Sequence, residues 1–454
     1  MSTTRQADAT PTRLLANPHY RWWLATDTFT AFGSALHGFA VPLLALYITG
    51  SPAQAGIIAG IGQVGRIAAT LPGGVVADRH NRRTLMVVGG LTGLAIASVL
   101  TGLQMGGHLD FWLLTVLNLL MAMRNGFFSS TSNAALKSVV PARQIGPAMA
   151  ANEARDSVIA LSGGPVGGVL MGFGRALPFA ATAAAHLIAV VSALMIRTDL
   201  RPGSVPADAR DAGQAAGDPG GSTAGAPGAP AVAGRGVFRK FAAEAASGIT
   251  WLFHRRELRG IVILATVINL GLNSAITAVV FGLQQRGETP AVIGMVSAGI
   301  GVGMLLGSFV AAPLVKRAGA GRVVIAGLLL MTAALAVLPF VHEVPAVLVV
   351  QAVAIFGGPS INAALLGYFM VAVPSDMLGR AGSALDLLTL GATPLSPLIA
   401  GFGYAWLGWT GILLACAATC AAAAFLALFN KGLRSLPASN HWAEHAAAIS
   451  AAAG

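Results

Sequence analysis

The chain has 454 residues, 55% of them hydrophobic and only 10% charged, against about 25% charged in an ordinary soluble domain. A mean hydropathy of +0.72, with apolar runs of roughly 20 residues recurring along the chain, excludes a soluble globular domain and predicts a polytopic α-helical membrane protein. The net charge of +11 does not point to nucleic acid, because the basic residues gather in alternate gaps between the apolar runs.

Twelve spans are expected, at roughly 22–47, 55–77, 84–103, 110–131, 150–173, 177–196, 261–283, 292–314, 323–340, 345–373, 381–405 and 410–429. The tail before them, residues 1–20, lacks the apolar core of a signal peptide, so no cleavage is expected. Span one carries Asp27 and, near its middle, His37. Span two carries Gln63 and Arg66 close to the membrane midplane, where Arg66 is expected to serve as a buried countercharge. Its GIGQVG (60–65) satisfies a dinucleotide fingerprint, but inside a span that spacing serves close helix packing, and no nucleotide site follows.

The gap after span two, GVVADRHNRR (74–83), sets one acid among three arginines. Arg82 and Arg83 are within reach of Asp78, which can also accept from the unpaired N–H groups of a neighbouring helix N-terminus. Span four holds Asn118 and Arg124. Span five holds Glu153, Arg155 and Asp156, with Glu153 and Asp156 expected to share a helix face and Arg155 to point elsewhere. It continues into GGPVGG (163–168), where Gly163, Gly164 and Pro165 weaken the backbone ladder and invite a bend. His186 lies in span six.

Residues 198–236 are Ala, Gly and Pro without apolar period, a disordered connector. They divide a six-span half over 21–197 from another over 261–430. Residues 237–260 read as an amphipathic helix, or as a solvated extension of span seven. Asn269 and Asn273 follow in span seven, Gln351 and Asn362 in span ten, and Asp386 in span eleven. The asparagines fit either a polar pathway or interhelical hydrogen bonds, and Phe29, Phe39, Phe127, Phe128 and Phe281 would suit a bulky amphipathic ligand. Cys416 and Cys420, one turn apart in span twelve, are too few for a metal site. The chain closes with a tail, 431–454.

Two further patterns organise these elements. VPARQIGPA (140–148) and VPSDMLGRA (373–381) repeat at a separation of 233. That separation aligns Glu153 with Asp386 and Gly74 with Gly307, so the halves are expected to be related copies, the arrangement of a secondary transporter. With the N-terminus inside, 23 of the 28 Lys and Arg fall on the cytoplasmic side, which places both termini in the cytoplasm.

The 74–83 loop resembles the signature loop between spans two and three of the major facilitator superfamily. The match covers Gly74, Asp78, Arg79, Arg82 and Arg83, with Asn81 in place of a glycine, where Asn would tolerate a left-handed turn. GGPVGG, through Gly163, Gly164, Pro165, Gly167 and Gly168, is similar to the Gly-Pro motif of exporters in that superfamily, with Ala160 where another glycine is usual. YRWWLATDTFTAFGSALHGFAVPLLALY at the start of span one and RNGFFSS (124–130) resemble the macrolide-efflux and enterobactin-exporter branch. The resemblance implies an all-α fold of twelve helices in two six-helix pseudo-symmetric halves. It also implies that Asp78 latches onto the start of span eleven.

The expected activity is proton-coupled export of a hydrophobic or amphipathic small molecule by a monomer in the plasma membrane. Protons and the lipid bilayer are its other partners, with no cofactor, no metal and no enzymatic step. Asp27, His37, Arg66, Arg124, Glu153, Asp156, Asp386, Asn269 and Asn273 are the candidate pathway residues, since ionisable groups inside a membrane default to function. A structural ion-pair network near the gate is the alternative reading of the acids. An importer on the same fold and a non-transporting scaffold or sensor are the alternative functions.

Overall fold

The computed structural model describes residues 14–141, 144–198, 200, 249–250, 252–254, 256–373, 377–442 and 444–445. The connector and most of the expected amphipathic helix lie outside the described residues. Within them the chain is helical throughout, in the order α1 (Pro18–Thr49), α2 (Pro52–Ala77), α3 (Arg82–Met105), α4 (Phe111–Val139), α5 (Ile145–Phe173), α6 (Leu177–Met195), α7 (Arg256–Gln285), α8 (Pro290–Arg317), α9 (Ala320–Val337), α10 (Val344–Phe356), α11 (Gly358–Ala372), α12 (Leu378–Gly391), α13 (Leu395–Phe429) and α14 (Lys431–Arg434).

The helix starts follow local chemistry. Asn17, Ser51, Asp110 and Thr289 each accept a first-turn N–H, and Pro18, Pro52 and Pro290 follow three of them, where a missing N–H costs nothing. At the opposite ends, Gly50, Gly107 and Gly287 take positive φ, which suits glycine alone at low cost. Ten segments among the described residues are long and apolar enough to cross a membrane. The segment Leu387–Phe429 contains two of the expected passes, because Gly408 (φ 68, ψ −171) breaks the helix and Gly403 packs against Ile412 across the break. α2 is not among the ten, since Gln63, Arg66 and its glycines dilute its hydropathy. Counted together these are twelve passes. Span ten is split into α10 and α11 at Gly357, which leans on Gly327 of α9.

Both described ends of the chain lie on one side of the bundle, here the tail end. Asn17 donates to the Val139 carbonyl at 3.0 Å, and Ala320 N–H donates to the Pro437 carbonyl at 3.0 Å. The residues after α13 turn back onto the bundle: the Trp442 ring meets Tyr368 edge-on, and His445 shares a 2.9 Å hydrogen bond with the Tyr368 hydroxyl.

The halves meet at the far end. Gly56 of α2 lies under the Pro397 carbonyl and Gly401 of α13 faces the Pro52 carbonyl, while Gly294 of α8 lies under the Gly164 carbonyl of α5 and Gly168 faces the Pro290 carbonyl. These two crossings are copies of each other. The matching caps pair Pro52 with Pro290, and hence Gly56 with Gly294; the separation of 233 pairs Gly168 with Gly401. The same caps correct the expected match of Gly74 with Gly307. Gly74 has open space around it, whereas Gly307 is packed against Phe356, and the counterpart of Asp78 is Lys316.

Candidate transport pathway

Ser34, Thr30 and Thr26 sit at four-residue intervals on α1, so they share one face with Asp27. Facing them from α4 are Arg124, Asn125, Ser129, Thr131 and Ser132, around a cavity of about 150 Å³ closed by Met86 and Gly89 of α3. Arg124 is buried and held in place: Nε donates to the Gly89 carbonyl at 2.7 Å and Nη1 to Asn125 Oδ1 at 2.9 Å. Asn125 Oδ1 also accepts from Ser34 at 3.3 Å. A guanidinium with carbonyl partners and no carboxylate among the described residues keeps its charge uncompensated, which is costly inside a membrane.

At the edge of this cavity Arg155 of α5 joins two acids. Its Nη2 lies 2.5 Å from Asp27 Oδ2 and 2.7 Å from Asp156 Oδ1, with side-chain exposures of 13% for Arg155, 17% for Asp27 and 53% for Asp156. The expectation that Arg155 points away from Asp156 is therefore corrected: the arginine stem is long enough to reach round the helix. Glu153 is exposed and forms no ion pair with the described residues. Asp386 lies on α12, with its side chain outside those described.

Arg66 is exposed rather than buried. The exposed side chains of α2 fall in two stripes, apolar Ile61, Val64 and Leu71 on one side and Arg66 with Thr70 on another. The apolar stripe suits lipid, and Arg66 with Thr70 forms a separate exposed polar strip. His37 is buried, 3.3 Å from Asn118 Oδ1, and Asn118 Nδ2 donates to the Ile58 carbonyl at 3.0 Å, a polar tie across α1, α4 and α2. His186 is fully buried, and neither ring nitrogen has a hydrogen-bond partner among the described residues.

In the second half a cavity of about 220 Å³ lies between α7, α11 and α12, lined mainly by Ile261, Ile268, Leu272, Ile361, Leu365 and Leu385, with Asn269, Asn362 and Thr389 as its polar groups. Asn269 and Asn273 donate to carbonyls one turn back, those of Ala265 and Asn269. Among the described residues neither Nδ2 makes an interhelical bond.

The 78–83 loop does different work from its expected pairing. Asp78 ends α2 and is exposed, with no ion pair to a described residue; the start of span eleven, its expected partner, lies largely outside the described residues. Arg83 instead donates to the Ala193 and Leu194 carbonyls at the end of α6, and Arg82 to Ser138 Oγ at 2.8 Å. Carbonyls at a helix C-terminus are natural partners for a cation. Asn81 is extended (φ −62, ψ 116) and caps α3 through Arg83 N–H, so no left-handed turn is needed. Gly73 rather than Gly74 is the packed glycine, under the Phe127 carbonyl. In the fifth helix Gly164 and Gly168 serve the far-end crossing, while Gly163 and Gly167 face Ala35 and Phe39 of α1.

Asn125 and the hydroxyls of α1 escaped the sequence reading, although the spacing of Thr26, Thr30 and Ser34 was visible. Gln284 also escaped it. Its Nε2 donates to the Leu43 carbonyl at 2.7 Å, and between described residues it is the side-chain hydrogen bond that joins the halves.

The Major Facilitator Superfamily profile matches residues 25–281 and 261–451. The chain belongs to the major facilitator superfamily. No curated protein sequence matches it significantly. Among solved structures, the nucleoside transporter NupG superposes with a TM-score of 0.64 at 12% identity, covering 90% of this chain and 99% of its own. A bacterial homologue of the human lysosomal transporter Spinster, inward-facing and unoccupied, gives 0.63 at 16%, with 95% and 96% covered. A POT family transporter in complex with a thioalcohol-conjugated peptide gives 0.63 at 11%, with 90% and 95% covered. At these identities the likeness is one of fold. A multi-pass membrane protein of this superfamily has the architecture of a secondary transporter.

Proposed function

We propose that this member of the superfamily is a proton-coupled exporter of hydrophobic or amphipathic small molecules, of the macrolide-efflux and enterobactin-exporter type. It would sit in the plasma membrane with its tail end in the cytoplasm. The observation that carries the reading is the contrast between the two cavities. The first half offers Asp27, Arg155, Asp156 and Arg124, and the second an apolar pocket with three neutral polar groups. An amphipathic molecule would lay its apolar body against Ile268, Leu272 and Leu365 and turn its polar end toward Asp27.

Arg155 supplies the coupling. While Asp27 and Asp156 are ionised they hold the guanidinium between α1 and α5. A proton on either carboxylate removes one partner and loosens the tie. Proton and substrate then compete for the same acids, and antiport needs that competition. Glu153, with Asp386 as its repeat counterpart, extends the acidic path toward the tail end, and Asp78 would latch the halves there when that side closes. This orientation rests on the basic residues of the tail-end loops.

The test is accumulation of a panel of amphipathic drugs in an efflux-deficient host, with and without an uncoupler. Lower accumulation that the uncoupler abolishes is expected. Raised accumulation in cells carrying the protein would overturn export in favour of import.

A further inference from the structure

The largest of the cavities described lies outside the transport pathway, on the opposite side of α7 from Ala265 and Asn269. It holds about 650 Å³ between the start of α7 and the end of α13, lined by Arg259, Gly260, Ile263, Leu264, Phe425, Leu426, Phe429, Asn430, Lys431, Gly432 and Leu433. Its chemistry is layered along the bundle axis. At the tail-end rim stand Arg259 and Lys431, both exposed and neither in an ion pair with a described residue. No described carboxylate lines the cavity. Asn430 lines the cavity next to Lys431, its amide nitrogen close to Gly260. Its side-chain carbonyl accepts from Leu433 N–H at 3.2 Å, so any contact with an anion would come from its amide –NH2.

Deeper in the bundle the wall is apolar and open. Ile263 lies one turn below Arg259 and is 37% exposed, and Phe425 and Phe429 are 58% and 71% exposed, with ring centroids 4.3 Å apart. Side chains of that kind at membrane depth face hydrocarbon, not water.

We propose that this cavity binds an anionic phospholipid from the leaflet at the tail end. Arg259, Lys431 and Asn430 donate to the phosphate, and an acyl chain lies along Phe425, Phe429 and Ile263. Basic pockets between transmembrane helices take acidic head groups for this electrostatic reason. A soluble anion would satisfy the rim but leave the aromatic wall unused, so the lipid accounts for both layers. The inference rests on the membrane-spanning fold and not on the direction or substrate proposed above.

The experiment is native mass spectrometry of the purified full-length chain exchanged against phosphatidylglycerol or phosphatidylcholine. Wild type should retain phosphatidylglycerol preferentially. The Arg259→Gln/Lys431→Gln double variant should lose about tenfold or more of that binding. Arg259→Lys/Lys431→Arg should keep it, which separates lost charge from misfolding. Lys316→Gln/Arg317→Gln, at the exposed end of α8, should also keep it. Equal retention by the double variant, equal loss in the α8 control, or no preference for the acidic lipid would overturn the site. So would stabilisation by millimolar inorganic phosphate equal to that by the lipid, since the acyl wall would then contribute nothing. None of these readouts needs a transported substrate, so failure here leaves the export reading untouched.

Discussion

Arg155 keeps its position because two carboxylates reach it from different helices, Asp27 from α1 and Asp156 from its own. Removing one partner from a half-buried pair leaves a desolvated charge behind, whereas replacing both by apolar groups removes the problem. Asp27→Asn should therefore lower the thermal denaturation midpoint in detergent, and Asp27→Leu/Arg155→Met should recover part of the loss. The coupling energy from the cycle of Asp27→Leu, Arg155→Met and their double variant is expected at about 1–2 kcal/mol, and strictly additive effects would show that the two residues do not act together. Asp27→Asn should also flatten the pH dependence of flux, because a carboxamide carries no proton across the cycle. Unchanged pH dependence would exclude Asp27 as the carrier. Glu153, exposed and without an ion pair, lacks the positioning that makes Asp27 the sharper test.

At the scale of elements, the far-end crossings depend on the absence of side chains. A Cβ on Gly56 would strike the Pro397 carbonyl, and one on Gly294 the Gly164 carbonyl. Backbone on both sides cannot yield as a flexible side chain can. Gly56→Leu and Gly294→Leu should hold that end apart and shift the conformational equilibrium by about tenfold or more, read as a longer distance between spin labels on the outer ends of α2 and α13. An unchanged distance would show that the crossing tolerates bulk. The helices themselves were legible in the sequence, because charge-free runs of about 20 residues leave few alternatives. Helix breaks were legible in part: the expected boundary between spans eleven and twelve brackets Gly408, whereas span ten is expected unbroken although Gly357, Gly358 and Pro359 carry the break there. The exporter-like motif was legible as a motif, while the partition of its glycines between α1 and α8 depends on neighbours more than 100 residues away. The acids stood out in an apolar text, yet Arg155 was misdirected because helical phase places a Cα, not the end of a long side chain.

For the whole molecule, the halves pack closely at the far end, while Asp78 at the tail end is exposed. The native thiols Cys416 and Cys420 are both buried, so in an Asp78→Cys variant the introduced thiol is the accessible one. Its labelling by a maleimide should be fast in this state and slow about tenfold or more when Gly56→Leu is added, because opening the far end closes the tail end over it. Equal rates would mean that the 78–83 loop takes no part in closure. The two ends also differ in the forces available to them. Between described residues the far end joins the halves through close-packed backbone and the single Gln284 to Leu43 bond. The tail end presents Asp78, Arg79, Lys316 and Arg317, all exposed. Electrolyte screens exposed charges over about 8 Å at physiological ionic strength and barely touches packed carbonyls. Ionic strength thus becomes a one-sided control: adding salt should slow the half of the cycle that seals the tail end, while the half that seals the far end keeps its pace.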